Sequence, residues 1–217
     1  MTKHWIRSSG IFGVLGGIIL FAGDMLFYYD AESTNFLKNM AYAADNRIAL
    51  SGVSALIAAW FYILGLGQVY YAFKPSKPLL RNMMLVSLGG ILIAYGVIHG
   101  AFVAIATSAK LAIENGLDLK ESVRLASDIN DILRLFVYPL FAICSLIFIF
   151  QVWKKKTFYP RWMILFFPLI PFLIKDVLGE LLSGKWWTII MGGYLNLILI
   201  VFFTASTIAL WNVKKTR

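Results

Sequence analysis

Charge, cysteine and histidine are all scarce in this chain. Only 14% of its 217 residues are charged, where a soluble domain carries about a quarter. That excludes an ordinary water-facing surface. A single cysteine, Cys144, rules out a disulfide within the chain and any C-x-x-C pair, and its place in the middle of an apolar run reads as packing. The two histidines, His4 and His99, are too few and too far apart for a membrane zinc hydrolase, which needs several imidazole ligands. Walker A, G-x-S-x-G and H-E-x-x-H segments are missing. The one G-x-G, Gly65 to Gly67, sits inside an apolar run with no helix N-terminus behind it to hold phosphate, which argues against a dinucleotide.

What fills the chain instead is apolar. Hydrophobic residues make up 60% of it, and the mean hydropathy is +0.77. A helix crosses the hydrocarbon core in about 20 residues. Runs of that size occur near 11–29, 49–73, 83–108, 132–153, 162–181 and 187–211. They predict an all-α integral membrane protein, a six-transmembrane-helix bundle forming one domain over 1–217.

The formal charge of +9 is distributed by segment rather than gathered on a soluble face, so nucleic acid is not the expected partner. Lys3, Arg7, Lys74, Lys77, Arg81, Lys154, Lys155, Lys156, Arg161, Lys214, Lys215 and Arg217 occupy the first, third, fifth and last connecting segments with no acid among them. All the acids fall in the alternate segments and helix ends. By the positive-inside rule both termini are expected in the cytoplasm. Trp5, Trp153, Trp162 and Trp211 then mark the inner interface, and Trp186, Trp187, Tyr28 and Tyr29 the outer one.

Against this background the acid in G-G-I-I-L-F-A-G-D-M-L-F-Y-Y-D, Asp24, stands out. Near a helix centre an aspartate costs roughly 2.5 to 3.5 kcal/mol to insert, so it needs a polar neighbour or a proton. It shares a stripe with Gly13 and Gly17, a small-xxx-small pair, which points it into the bundle. At 1.5 Å per residue Asp24 lies about 20 Å above the inner end of its run. His99, flanked by Gly96 and Gly100, reaches a similar height, as do Asp176 and Glu180 (neighbours at i, i+4) with Lys175 beside them. Arg47, Ser51 and Ser54 share a stripe of the second run. Asn130, Asp131 and Arg134 open the fourth, and Tyr194 and Asn196 lie in the sixth. The inner half has almost nothing comparable, and Gln68 reads as an interface residue.

His99, Asp24, Asp176 and Glu180 are therefore the candidates for any acid/base work. Asp24, Arg47, Ser51, His99, Arg134, Asp176, Glu180 and Asn196 are the expected ligand-binding set, with Arg47, Arg134 or His99 as partner to Asp24. Ser51 and Ser54 also have the ordinary role of hydroxyl packing between helices. No cofactor is expected. A carboxylate-rich site suits a hard divalent ion, but the cations beside it oppose one.

Two local features bear on access to such a site. Pro168 and Pro171 should kink the fifth run below Lys175. Asp118 should cap a short amphipathic helix after a turn at Asn115-Gly116, one that rests in the outer interface or, alternatively, lies across the outer mouth as a lid.

The segments G-D-M-L-F-Y-Y and Y-I-L-G-L-G-Q-V-Y-Y-A-F-K-P, at Tyr62 to Pro75, resemble uncharacterised families of small bacterial multi-pass membrane proteins. The resemblance implies a bacterial cytoplasmic membrane and no particular activity. The expected function is an outward-facing polar pocket that binds or processes a membrane lipid or small amphiphile. A proton-coupled small-molecule transporter and a non-catalytic structural or sensor subunit are the alternatives, and the glycine faces allow a homo-oligomer.

Overall fold

The computed structural model describes residues 2–212, so the basic residues Lys214, Lys215 and Arg217 lie outside the described residues. Within them the chain is helical: α1 (Lys3–Tyr28), α2 (Phe36–Ala41), α3 (Asp45–Ala72), α4 (Pro78–Glu114), α5 (Leu119–Trp153), a 3-10 turn (Arg161–Phe166), α6 (Leu169–Leu173), α7 (Lys175–Leu181), α8 (Gly184–Gly192) and α9 (Tyr194–Leu210). By length and composition α1, α3, α4 and α5 are each able to cross a membrane. The α8–α9 pair makes a fifth candidate, bent by 65°. The chain is a multi-pass membrane protein.

The run at 162–181 is not one kinked helix. It breaks into the 3-10 turn, α6 and α7. Pro168 and Pro171 each lack the N–H that would continue a helix, and each ring crowds the carbonyl a turn earlier; with Pro160 in front, no long helix forms. The broken segment still joins opposite ends of the bundle. Before it, Phe158 N–H donates to the Ala72 carbonyl at 2.8 Å, and at its start Arg161 Nε donates to the Trp153 carbonyl at 3.1 Å. Beyond its end, Trp187 stacks on Phe36 with centroids 5.1 Å apart. The end that holds Ala72 and Trp153 is termed basal here, and the end that holds Phe36 and Trp187 distal. Arg7 binds the Trp211 carbonyl through Nη2 at 2.9 Å and Nε at 3.2 Å, so the first and last described helices meet at the basal end.

The connection between α4 and α5 also departs from expectation. Gly116 has φ +65°, and Leu117 N–H bonds back to Ala112 while Gly116 N–H bonds to Ile113, a Schellman stop that only a residue free to go left-handed closes cheaply. Asp118 does cap the next helix, accepting from Glu121 N–H at 2.8 Å. That helix, however, does not lie across the mouth. With no glycine and a single proline, Pro139, after Asp118, it continues as α5 to Trp153. The helices have 37 and 35 residues. At 1.5 Å per residue each is over 50 Å long, against a hydrocarbon core of about 30 Å, so their hairpin stands out beyond it.

In order of packing the helices run α5, α4, α3, α1, α9, and the 3-10 turn bridges α9 and α5 at the basal end. The tightest approach is α1 on α3, where a Cβ added to Gly65 would lie 2.8 Å from the Gly13 Cα. Backbones this close are what small-xxx-small stripes permit. Gly13 and Gly17 of that stripe face Phe203 and Ile200 of α9 within the chain, while the second glycine pair, Gly96 and Gly100, leaves open space beside Gly100.

The basal core is a stack of rings. Phe148 lies against Phe167 at 4.2 Å and edge-on to Phe202 at 5.9 Å, all without exposure. This half is not free of polar groups, and Gln68 is not at the interface. Fully buried, Gln68 accepts from Ser206 Oγ at 2.6 Å through Oε1 and donates from Nε2 to the Ile6 carbonyl at 3.2 Å. Ser206 in turn meets the Tyr159 hydroxyl at 2.6 Å. Burial, only partly countered by that hydrogen bond, raises the pKa of the Tyr159 phenol, in the connection after α5, above its ordinary value.

Candidate functional site

Three helices bring Asp24, Ser51 and His99 to one level in the distal half. Asp24 Oδ1 lies 3.1 Å from His99 Nδ1. Its Oδ2 accepts from Asn196 Nδ2 at 2.6 Å, and Asn196 Oδ1 accepts from the Tyr62 hydroxyl at 3.3 Å. On the far side of the imidazole, Nε2 lies 2.8 Å from Ser51 Oγ and 3.1 Å from the Ser51 carbonyl. Phe27 covers the ring at 5.3 Å. All four polar side chains, Asp24, Ser51, His99 and Asn196, are buried.

Serine, histidine and aspartate in line invite comparison with a hydrolase triad, and counting donors decides against it. The Ser51 hydroxyl donates to the Gly23 carbonyl at 2.7 Å, so its oxygen offers Nε2 a lone pair. The Ser51 carbonyl also only accepts. Nε2 therefore carries hydrogen, the reverse of a base that must take a proton from serine. Ser51, with no exposed surface, holds the imidazole in place rather than attacking a substrate.

The same count constrains Nδ1. With Nε2 protonated, a neutral imidazole presents a bare lone pair at Nδ1, which would repel a carboxylate 3.1 Å away. One more proton lies between them, on either Asp24 or His99, and the pair is neutral overall. This removes the insertion penalty that Asp24 raises.

Asp24, His99 and Asn196 border a cavity of about 420 Å³. Its polar rim is completed by Tyr95 of α4, Arg134 of α5 and Lys175 of α7, and its walls include Leu20, Ile98, Phe102 and Met191. Arg134 Nε donates to Asn130 Oδ1 at 2.9 Å, and its guanidinium lies 5.3 Å from the Phe102 ring centroid. Basally α5 is tied to the 3-10 turn. Distally, among the described residues, it has no comparable packing on α7 or α8. The cavity therefore lies where the helix ring is least closed.

The remaining expected residues are placed otherwise. Arg47 does not pair with Asp24; its Nη2 donates to the carbonyls of Met25 at 3.2 Å and Tyr29 at 3.0 Å. Asp176 and Glu180 are exposed and do not border the cavity, whereas their neighbour Lys175 does. Among the described residues no three His, Cys, Asp or Glu side chains converge as a metal site would require.

Residues 1–216 match the model of DUF6796, a family of unknown function. The chain belongs to that family. No curated protein and no solved structure matches it. In this DUF6796 chain the expected ligand-binding set omitted Tyr62, and it omitted Asn130 and Lys175 although both were placed at the level of the site. Lys175 gave a signal in its depth and charge, and Asn130 in its i, i+4 spacing from Arg134, which places an amide beside a guanidinium on one helix face; Tyr62 gave none.

Proposed function

We propose that the chain crosses the membrane six times, with its basal end in the cytoplasm, and that the distal cavity binds a lipid or small amphiphile from the outer leaflet. The acid-free basic segments at the basal end support that orientation, and the Arg7–Trp211 contact supports an even number of crossings. The resemblance noted above makes a bacterial cytoplasmic membrane the expected setting. The observation that carries the reading is the cavity itself: about 420 Å³, polar at its floor, apolar in its walls and placed at the loosest join of the ring. Ligand sites are commonly of this size and composition. Because the space opens at that join and has both polar and apolar lining, it suits a molecule with a polar head and an apolar tail. The reading is binding rather than serine-based hydrolysis, because Nε2 of His99 faces Ser51 with its hydrogen.

The test is lipid retention. Protein purified from nanodiscs of mixed phosphatidylglycerol and phosphatidylcholine is examined by native mass spectrometry, beside Ser127→Trp, whose indole would occupy the cavity from α5. The wild type is expected to hold one lipid more than the variant, with both equally folded by thermal unfolding. Equal lipid occupancy in the two would overturn the assignment.

A further inference from the structure

Two cations face the cavity, and among the described residues neither has an acidic partner: Arg134 and Lys175. Arg134 is held in place on one side only. Its Nε is engaged by Asn130, which is itself buried and anchored by donating from Nδ2 to the Ile98 carbonyl at 3.1 Å. Neither Nη group has an acceptor among the described residues. A guanidinium fixed at Nε with its outer edge open is the geometry that grips a phosphate or carboxylate through paired N–H donors. Lys175 adds a point charge from α7, a different element bordering the same cavity. The nearest acid is already committed, since Asp24 shares a proton with His99 and also accepts from Asn196. The cavity is left with two uncompensated positive charges at membrane depth, where an anion is worth far more than in water.

Resting on the reading of the cavity as an amphiphile site, we infer that its ligand has an anionic headgroup, a phosphate or a carboxylate, held between Arg134 and Lys175. A headgroup that presents a quaternary ammonium there meets like charge and is disfavoured. The headgroup enters through the loose join of α5 with α7 and α8. Exposed apolar side chains on those elements, Leu135 and Phe136 of α5 and Val177 and Leu181 of α7, suit an acyl chain.

The experiment measures the ratio of phosphatidylglycerol to phosphatidylcholine retained from equimolar nanodiscs. It compares the wild type, Arg134→Gln with Lys175→Gln, the charge-keeping Arg134→Lys, and a basal control, Lys154→Gln with Lys156→Gln. The wild type and the control should favour phosphatidylglycerol by about thirtyfold, at roughly 1 kcal/mol for each of the two basic contacts. Arg134→Lys keeps the charge but not the paired N–H donors, so its preference should fall between those of the wild type and the distal double variant. The distal double variant should fall to near parity while retaining as much total lipid. A parallel thermal-unfolding arm titrates inorganic phosphate against chloride. Stabilisation by phosphate that depends on Arg134 and Lys175, with no lipid retained, assigns the same subsite to a soluble phosphate and removes only the lipid reading. An unchanged lipid ratio in the distal double variant, with no phosphate effect that depends on Arg134 and Lys175, overturns the anion subsite while leaving amphiphile binding intact.

Discussion

At the basal end Phe148 lies face to face with Phe167 at 4.2 Å and edge-on to Phe202, with Gln68, Ser206 and Tyr159 in a buried polar chain beside them. At the distal end the ring of helices parts around about 420 Å³, and the polar groups border space. Lipid tails are as apolar as leucine, so helices in a membrane are held by packing and interhelical hydrogen bonds rather than by hydrophobic burial. A half that has both is a fixed frame. The distal half packs a smaller cluster around Phe27, Tyr28, Met40 and Ile105 on one side of its space, and beside that space the helices are held in register by the hydrogen bonds of Asp24, His99, Ser51 and Asn196. The division of labour is between a clamp and a container.

The largest test of that division is to remove one ring from each half. Phe148→Ala opens a void amid rings that have no room to collapse and should cost about 3 to 5 kcal/mol. Phe102→Ala borders the existing cavity, so it leaves little new void and removes mainly a partly exposed ring and its cation–π contact with Arg134, about 1 to 2 kcal/mol. Thermal unfolding in one detergent measures both. Equal losses would mean that the distal half is packed as tightly as the basal one.

A middle-sized effect is expected where either polar cluster loses its hub. Gln68→Leu strips Ser206 Oγ of its acceptor and the Ile6 carbonyl of a donor, and Asp24→Leu strips Asn196 and His99 alike. Each should cost about 2 to 3 kcal/mol, since buried polar groups left unpaired bear their desolvation in full. The lipid ratio, read alongside, separates the halves: Gln68→Leu should leave it unchanged. A shift in the ratio with Gln68→Leu would join the two clusters into one functional unit and dissolve the comparison.

How far the sequence foretold this depends on whether a residue acts within an unbroken helix. Asp24, His99, Ser51 and Asn196 were legible because an acid in lipid demands a partner, and because depth counts reliably at 1.5 Å per residue along α1, α3, α4 and α9. Asp176 and Glu180 were misplaced by the same arithmetic. The break at Ile174, where α6 ends and α7 begins at φ −97° and ψ 3°, resets the rotation, so a face counted through it points elsewhere. The prolines were visible, but whether they bend a helix or divide it depends on what packs against the freed carbonyls. Gln68 was hidden for a different reason: near the end of an apolar run, a glutamine facing the headgroups and one facing Ser206 have the same sequence signature. Arg47 was assigned by charge alone, and the carbonyls at the end of α1 supplied a closer partner than Asp24.

The smallest expected effect belongs to Asp24→Asn, and it bears on how the distal half is held together. Asparagine keeps the shape of the carboxyl group. Its amide nitrogen can donate to His99 Nδ1 while its oxygen accepts from Asn196 Nδ2, so both hydrogen bonds of Asp24 survive with no proton to share. If the cluster is held by its hydrogen bonds, the change should cost less than about 1 kcal/mol, well below the loss for Asp24→Leu. Thermal unfolding of the two variants side by side checks this. A loss as large as that of the leucine variant would place the shared proton on His99 and make the carboxylate's charge the essential element, because an amide cannot hold an imidazolium. The hydrogen-bonding account favours the small value, since every polar atom of the quartet finds a partner in the asparagine variant without a charge being created anywhere at that depth.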